Sequence, residues 1–158
     1  MKTALTFLIL LTLIPLNAFA QDSPQWGLPD DALARLGKGI ISGNIVYSPD
    51  GNRLAVASAI GVWVYDATSY EPIFLLSGHT EEVTSVAFSV DGNTIASADG
   101  NWEEDNLRLW DAVTGEEKFA LSGGFLEFGA IAFSPDGKTL ASTDFGGVKL
   151  WDTDTGEE

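Results

Sequence analysis

The chain has 158 residues, no cysteine, a single histidine, and only 8 basic residues against 23 acidic ones. Without cysteine it can form no disulfide, no thiolate metal site and no cysteine nucleophile. The formal net charge is −15, so the protein repels phosphate backbones and anionic lipid surfaces. We therefore expect no nucleic-acid partner.

The chain also lacks an apolar run of the roughly 20 residues that a membrane-spanning helix needs. Its N-terminal apolar run covers residues 4–16, contains Pro15, follows Lys2 and precedes an Ala-Phe-Ala sequence that ends just before Gln21. This order of a basic start, a short apolar stretch and small residues is typical of a secretory signal peptide. We therefore predict that residues 1–20 are a signal peptide. The protein would be exported to the periplasm or the outside of the cell, with no membrane association after cleavage.

What the chain does have is a pattern that occurs three times. A turn sequence ending in Asp-Gly places its glycine at 51, 92 and 137, and a strand-like segment closes on an aspartate at 66, 111 and 152. The glycines are 41 and 45 residues apart, whereas the aspartates are 45 and 41 residues apart. One insertion between Gly92 and Asp111 accounts for both differences. Repeats of about 40 to 45 residues with short strands are typical of four-stranded propeller blades.

The middle copy carries the most complete set of motifs. It begins with Gly78-His79, continues through the apolar strand Val83–Phe88 and closes on Leu107-Arg108-Leu109-Trp110-Asp111. With its Gly-His and Trp-Asp dipeptides, the chain resembles the WD-repeat β-propeller family over residues 37–158. The resemblance implies an all-β fold made of four-stranded antiparallel meanders.

The resemblance also divides the chain into segments. A lead-in segment occupies residues 21–36, and the blades lie at about 40–76, 79–121 and 125–158. The chain stops at Glu158, before a fourth strand of the third copy. We therefore expect about three blades of an incomplete propeller, with further blades or self-association needed to cover the sheet edges.

The single histidine, His79, stands directly before the first strand of the middle copy. The resemblance implies a structural hydrogen-bond network that joins this histidine to Ser97, Trp110 and an aspartate. The insertion makes the register of that aspartate ambiguous, so Asp105 and Asp99 are both candidates. A buried imidazole needs partners for both ring nitrogens, so such a network would stiffen the core. The other copies have Lys38 and Gly124 at the histidine position, and only the middle blade can form the complete network.

The insertion lies in an acidic loop, Asp99 to Asn106, that carries Trp102, Glu103, Glu104 and Asp105. In an antiparallel meander this loop lies at the same end as His79 and as the loop of the third copy that contains Phe145. Aromatic groups ringed by carboxylates favour a basic or mixed apolar-basic protein partner. We predict a partner-binding surface at Trp102, Glu103, Glu104, Asp105 and Phe145. A merely solvated loop and a cation site are the alternatives, although the calcium-loop spacing is incomplete.

These observations predict a non-enzymatic protein-interaction or scaffolding module that has no catalytic residue, no metal and no cofactor. No serine lies on a nucleophile elbow, and the sole histidine already has a structural role. Two alternatives stay open. One is a propeller-type hydrolase or quinone-dependent dehydrogenase whose functional residues would lie in further blades. The other is a Tol-type periplasmic propeller, which shares the Ser-Pro-Asp-Gly turns found at residues 48–51 and 134–137.

Overall fold

The structure is a computed structural model, and it describes residue 36 and the ranges 39–101, 106–122, 130–144 and 146–158. All of these residues belong to one compact unit, Ala34–Glu158. The predicted signal peptide and nearly all of the lead-in segment lie outside the described residues, as do Lys38 and Gly124. In the described part of the chain, no helix is long and apolar enough to cross a membrane.

Three antiparallel sheets follow one another along the chain. Blade one consists of β1 (Ile41–Tyr47), β2 (Arg53–Ser58), β3 (Gly61–Asp66) and β4 (Pro72–Leu76). Blade two consists of β5 (Val83–Phe88), β6 (Thr94–Asp99), β7 (Leu107–Asp111) and β8 (Glu117–Leu121). Blade three consists of β9 (Ile131–Phe133), β10 (Thr139–Asp144) and β11 (Gly147–Asp152). Each strand pairs with the next one in the sequence of its blade, which confirms the predicted all-β fold of propeller-type meanders.

The turn between the first two strands is built in the same way in each blade. A serine hydroxyl donates a hydrogen bond to the aspartate two residues later, over 2.5 Å at Ser48, 2.6 Å at Ser89 and 2.6 Å at Ser134. The glycine that follows the aspartate has a positive φ of 73°, 72° and 73° at positions 51, 92 and 137. Glycine suits this conformation because it has no Cβ to clash with the backbone. The middle turn keeps this geometry although Val90 replaces the proline.

The core lies between the blades. One buried cluster joins residues of blade one, among them Val62, Val64 and Leu76, to Val86 and Ile95 of blade two. A second cluster joins blade two to blade three through Leu107, Leu109, Ile131, Leu140 and Trp151. A blade between two others is covered on both faces, and every residue of β6 is buried. Its polar members Ser97 and Asp99 are buried because each has His79 as a hydrogen-bond partner.

Arg53, the first residue of β2, ties blade one to blade two. Its guanidinium donates hydrogen bonds to the carbonyl oxygens of Ala112 and, over 3.2 Å, of Gly92, and it lies 5.9 Å from the centre of the Phe88 ring. Both carbonyls belong to turns of the neighbouring blade. One side chain of blade one thus donates hydrogen bonds to carbonyl oxygens in two turns of blade two.

A second link between these blades lies at their innermost strands. The side-chain amide of Asn44 donates to the Val86 carbonyl over 2.9 Å, and its oxygen accepts from the Val86 amide over 2.7 Å. The asparagine therefore takes the place of a strand partner at the edge of β5. The adjacent Gly43 permits this close approach, because a Cβ atom there would lie 2.5 Å from the carbonyl oxygen of Thr84.

Candidate functional site

A hydrogen-bond network around His79 occupies one end of blade two. The imidazole Nε2 lies 2.6 Å from the Ser97 hydroxyl, and the same hydroxyl accepts a hydrogen bond from Trp110 Nε1 over 2.8 Å. Nδ1 lies 3.0 Å from the Asp99 carboxylate. The side chains of His79 and Asp99 are each only 1% exposed. The structure thus brings together His79, Ser97 and Trp110 from three segments of the chain.

The chemistry of these groups sets the direction of the bonds. The indole of Trp110 can only donate, so the Ser97 hydroxyl accepts from it and has its own proton left for His79 Nε2. A neutral imidazole then carries its proton on Nδ1 and donates it to Asp99. Each polar side-chain group of this hydrogen-bond network has a partner, which is what a rigid buried network requires.

Asp99 is the acid of the network. The sequence left Asp105 and Asp99 as candidates, and the structure assigns the contact with Nδ1 to Asp99, whereas Asp105 lies outside the described residues. The carboxylate also accepts from the backbone amides of Thr80 and Asn101, over 3.2 and 3.0 Å. Burial raises the pKa of Asp99, but the hydrogen bonds from His79 and from backbone amides outweigh it and hold the pKa below its usual range. The group therefore stays ionised near neutral pH.

Blade three contains a shorter version of the network. Trp151 Nε1 donates to the Ser142 hydroxyl over 2.9 Å, as Trp110 does to Ser97 in blade two. The histidine position of the third copy, Gly124, lies outside the described residues.

The inserted acidic loop begins and ends on this network. Asn101 donates from its side chain to Thr80 Oγ1 over 3.0 Å, and its backbone amide donates to Asp99. Asn106 donates from its side chain to the Asn101 carbonyl over 2.9 Å, and its own carbonyl accepts from the Asp99 amide over 2.9 Å. Asp99 therefore serves both the buried network and the base of the loop. Hydrogen bonds thus fix the two ends of the loop to the buried network.

The sequence singled out five residues for partner binding. Trp102, Glu103, Glu104, Asp105 and Phe145 all lie outside the described residues. Beside the base of the inserted loop, the described residues form a shallow depression lined by Glu81, Glu82, Thr84, Gly100 and Asn101. The acidic character expected of this end thus extends to two glutamates that the sequence analysis did not select.

Three exposed isoleucines at the same end were also missed. Ile40, Ile41 and Ile60 are 69%, 42% and 53% exposed, and the Ile40 carbonyl accepts a hydrogen bond from the amide of Ala59, beside Ile60. The Ser42 hydroxyl donates to the Val83 carbonyl over 2.8 Å, which sets this end of blade one against blade two. One feature of the sequence could have indicated them: Ile60 lies in the Ala59-Ile60-Gly61 hairpin turn, where a polar residue is usual.

We use the name "network end" for the end of blades one and two that carries Ile40, Ile41 and Ile60, residues 79–82 and Asn101. Its described residues combine apolar and acidic side chains. Among the residues that the structure describes, no group of three or more histidine, aspartate or glutamate side chains is placed to hold a metal ion.

Comparison with known families matches residues 70–111 to the family described as WD domain, G-beta repeat. These residues are similar to one WD repeat. This repeat includes β4, the outermost strand of blade one, and the first three strands of blade two, so it spans two sheets. The His79 network lies entirely within the matched residues.

Two known proteins are similar in sequence to part of this chain. One is the uncharacterized WD repeat-containing protein sll1491 of Synechocystis sp., which is 37% identical over 67 residues, or 42% of this chain and 19% of the relative. The other is the 77 kDa echinoderm microtubule-associated protein of Strongylocentrotus purpuratus, which is 40% identical over 64 residues, or 37% of this chain and 9% of the relative. The chain thus spans only a small part of the length of these relatives.

A similar solved structure is that of U3-55K, with a TM-score of 0.65 over 78% of this chain and 39% of that chain. The sequence identity of 20% limits this likeness to the fold. Together, the comparisons support the WD-repeat family. Repeats of this family generally mediate protein–protein interaction, and the family is generally non-enzymatic.

Proposed function

We propose that this chain is the protein-interaction segment of an exported, non-enzymatic WD-repeat scaffold, and that its partner binds at the network end. The single observation that carries the proposal is the double use of Asp99, which belongs both to the buried His79 network and to the base of the inserted loop. The described residues at the two ends of the loop are held in this way before a partner binds, and a smaller ordering cost on binding favours affinity.

The chemistry of the network end suggests the kind of partner. Exposed isoleucines lie at the same end as Glu81 and Glu82, and the inserted loop adds Trp102, Glu103 and Glu104 by sequence. Apolar and aromatic side chains provide anchoring area, while carboxylates at the rim steer a basic partner. The proposed partner is therefore a protein surface that combines basic and apolar side chains.

A pull-down from the exporting organism, followed by binding of the captured protein to variants, tests this proposal. We expect the combined variant Trp102→Ala, Glu103→Lys and Glu104→Lys to weaken binding and to flatten its salt dependence, since the acidic rim is lost. A matched triple change at the opposite end of the blades, Val113→Ala, Glu116→Lys and Asp154→Lys, should leave binding unchanged. If the matched change weakens binding and the loop variant does not, the partner binds at the opposite end of the blades and the proposal is wrong.

Export is proposed from the N-terminal pattern alone, and it has its own test. When the chain is expressed in a bacterial host, N-terminal sequencing of the mature protein should begin at Gln21. A chain that retains residues 1–20 inside the cell would refute export without affecting the binding proposal.

A further inference from the structure

The chain contains four Asp-Gly pairs, at residues 50–51, 91–92, 99–100 and 136–137. Such pairs are open to isomerisation, because glycine has no Cβ atom to keep its amide away from the aspartate side chain. The amide nitrogen attacks the carboxyl carbon, and the carboxyl hydroxyl leaves with the amide proton as water to give a cyclic succinimide. Water then opens the ring at either carbonyl, which leaves aspartate or isoaspartate. Isoaspartate lengthens the main chain by one carbon.

The turn of blade two works against both requirements of this reaction, a protonated carboxyl group and a free amide. The Gly92 amide already donates to the Ser89 carbonyl over 2.9 Å. One oxygen of Asp91 accepts from the Ser89 hydroxyl over 2.6 Å and from the Asn93 amide over 3.0 Å. The hydrogen bond from the Ser89 hydroxyl is the main reason why the pKa of Asp91 is lowered, so the protonated form is scarce at neutral pH. The turns of blades one and three contain the same bonds.

Asp99, the aspartate of the fourth pair, is enclosed in another way. Its side chain is only 1% exposed and contacts the His79 imidazole. Its carboxylate also accepts from the backbone amides of Thr80 and Asn101. The buried network therefore holds this carboxylate in place and ionised.

The second carboxylate oxygen is held in blades one and two. Asn52 donates from its side-chain amide to Oδ2 of Asp50 over 3.0 Å. Asn93 donates in the same way to Oδ2 of Asp91, also over 3.0 Å. A proton can reach this oxygen only after that hydrogen bond breaks. The asparagine thus adds to the protection that the serine provides.

Blade three has Lys138 where the first two blades have these asparagines. In the described part of the chain, Lys138 forms no ion pair with Asp136. The Ser134 hydroxyl lowers the pKa of Asp136 most, and the charge of Lys138 adds a smaller effect in the same direction. Asp136 therefore has the serine bond of the other turns but not the asparagine bond to its second oxygen.

We propose that Asp136 is the residue at which this protein isomerises on ageing, and that bonds from serine and asparagine protect Asp50 and Asp91. The proposal concerns contacts within single turns. It does not depend on the proposed function or on the network end.

Storage of the full chain at neutral pH and physiological temperature for several weeks tests the proposal. Trypsin separates the three turns onto different peptides, namely residues 39–53, 54–108 and 119–138. Mass spectrometry with electron-transfer fragmentation then measures the isoaspartate at each turn. We expect isoaspartate to form at Asp136 about threefold or more faster than at the other two turns, since one hydrogen bond fewer holds the carboxylate. Equal rates at the three turns, or a faster rate at either other turn, would overturn the proposal.

Exchanging the residues that follow the turn glycines gives the decisive result. Asn93→Lys removes the side-chain bond to Asp91 but keeps the backbone amide, so isoaspartate there should form about threefold or more faster. Lys138→Asn should slow its formation at Asp136 by a similar factor. Asp50 is the internal control in both variants, and its rate should not change. If either exchange leaves the rate at its own turn unchanged, asparagine does not provide the protection and the proposal is wrong.

Ser89→Ala tests the serine bond in the same way. Isoaspartate at Asp91 should form about tenfold faster, because a hydrogen bond to a charged group is lost, while Asp50 and Asp136 keep their rates. Ser89 is only 2% exposed, so circular dichroism checks that the variant is folded. Ser134→Ala, at the more accessible serine of blade three, replaces it if it is not, with Asp136 as the residue measured. A folded serine variant whose own turn isomerises no faster than in the unchanged protein would refute the protection.

Discussion

At the scale of single residues, a few polar side chains at special positions distinguish one blade from another. His79 and Asp99 complete in blade two a network of which the described residues of blade three show the tryptophan–serine pair, and Arg53 bridges two turns of the neighbouring blade. Buried groups of this kind are costly to leave without a partner, so they specify one packing arrangement.

The network gives the first prediction, that His79→Ala destabilises the protein. The change leaves the Asp99 carboxylate and the Ser97 hydroxyl each without one partner in a nearly inaccessible site. The cost should be about 1 to 3 kcal/mol for each group, measured as the free energy of unfolding in urea. Lys38→Ala, at the equivalent position of the first repeat, is the control and should cost much less. Equal and negligible losses in the two variants would contradict the structural role of the network.

Tyr70 gives a prediction about backbone strain. Its φ is 61°, in the left-handed region, at the turn position where blades two and three have Gly115 and Gly156 with φ of 77° and 73°. All three residues donate their amide to an aspartate carbonyl four residues earlier, so the turns are the same. A side chain costs about 1 kcal/mol or more in this conformation, and glycine avoids that cost.

We therefore expect Tyr70→Gly to be more stable than Tyr70→Ala by about 1 kcal/mol in thermal or urea unfolding. Comparing these two variants separates strain from packing, because both lose the tyrosine ring and only alanine keeps the Cβ atom. If Tyr70→Ala proves to be as stable as Tyr70→Gly, the turn is not strained.

At the scale of elements, the turns after the third strands also join the blades. A Cβ atom at Gly115 would lie 3.3 Å from the ring of Phe74 in β4, and one at Gly156 would lie 3.0 Å from the ring of Phe119 in β8. The outermost strand of each of these blades thus packs its phenylalanine on the turn of the next blade. Glycine is needed at both positions for two reasons: the backbone has a positive φ, and the phenylalanine ring fills the space that a side chain would take.

Aspartates in these turns, and in the turns between the first two strands of each blade, predict how the stability of the protein depends on pH. Hydrogen bonds from serine hydroxyls lower the pKa of Asp50, Asp91 and Asp136, and bonds from backbone amides lower the pKa of Asp66, Asp111 and Asp152. The unfolded chain binds protons on these carboxylates at a higher pH, near the ordinary value of about 4. Their stabilisation is therefore complete above about pH 4 and is lost as the pH falls through the lowered pKa values of the folded protein.

We expect the free energy of unfolding to fall steadily from about pH 4 downward, as measured in urea at a series of pH values. Asp111→Asn still offers an oxygen to the backbone amides but cannot be protonated in this range, so its stability should fall less steeply. A wild-type stability that is flat or rises between about pH 4 and pH 2 would contradict this account.

At the scale of the whole molecule, the faces of the blades decide what is core and what is surface. Side chains that are buried in blade two have a counterpart that is more than half exposed in either blade one or blade three, as the pairs Val86 and Ile45, and Leu109 and Leu150, show. The solved structure of similar fold is longer, since this chain covers 39% of it. Burial in this architecture therefore depends on the presence of a neighbouring blade and not on the residue type.

The sequence by itself determined the repeat, its strands and its turns. Period, Asp-Gly turns and the Gly-His and Trp-Asp dipeptides are local signals, because turn glycines and strand patterns act within a few residues of one another. The spacing of Gly51, Gly92 and Gly137 therefore predicted three sheets with the correct strand order. The resemblance to the WD-repeat family, and not a local signal, selected His79, Ser97 and Trp110 as one group.

Only the tertiary structure decided which aspartate meets His79 and how the blades are held together. The insertion left the register of the loop ambiguous, and the distance of 3.0 Å from Asp99 to the imidazole resolves it. The bonds from Arg53 to Gly92 and from Asn44 to Val86 join residues 39 and 42 positions apart. No local pattern marks such contacts, because they depend on the angle at which two finished sheets meet. The exposure of Ile45 and Leu150 has the same origin, since a strand's sequence does not record whether another blade lies against it.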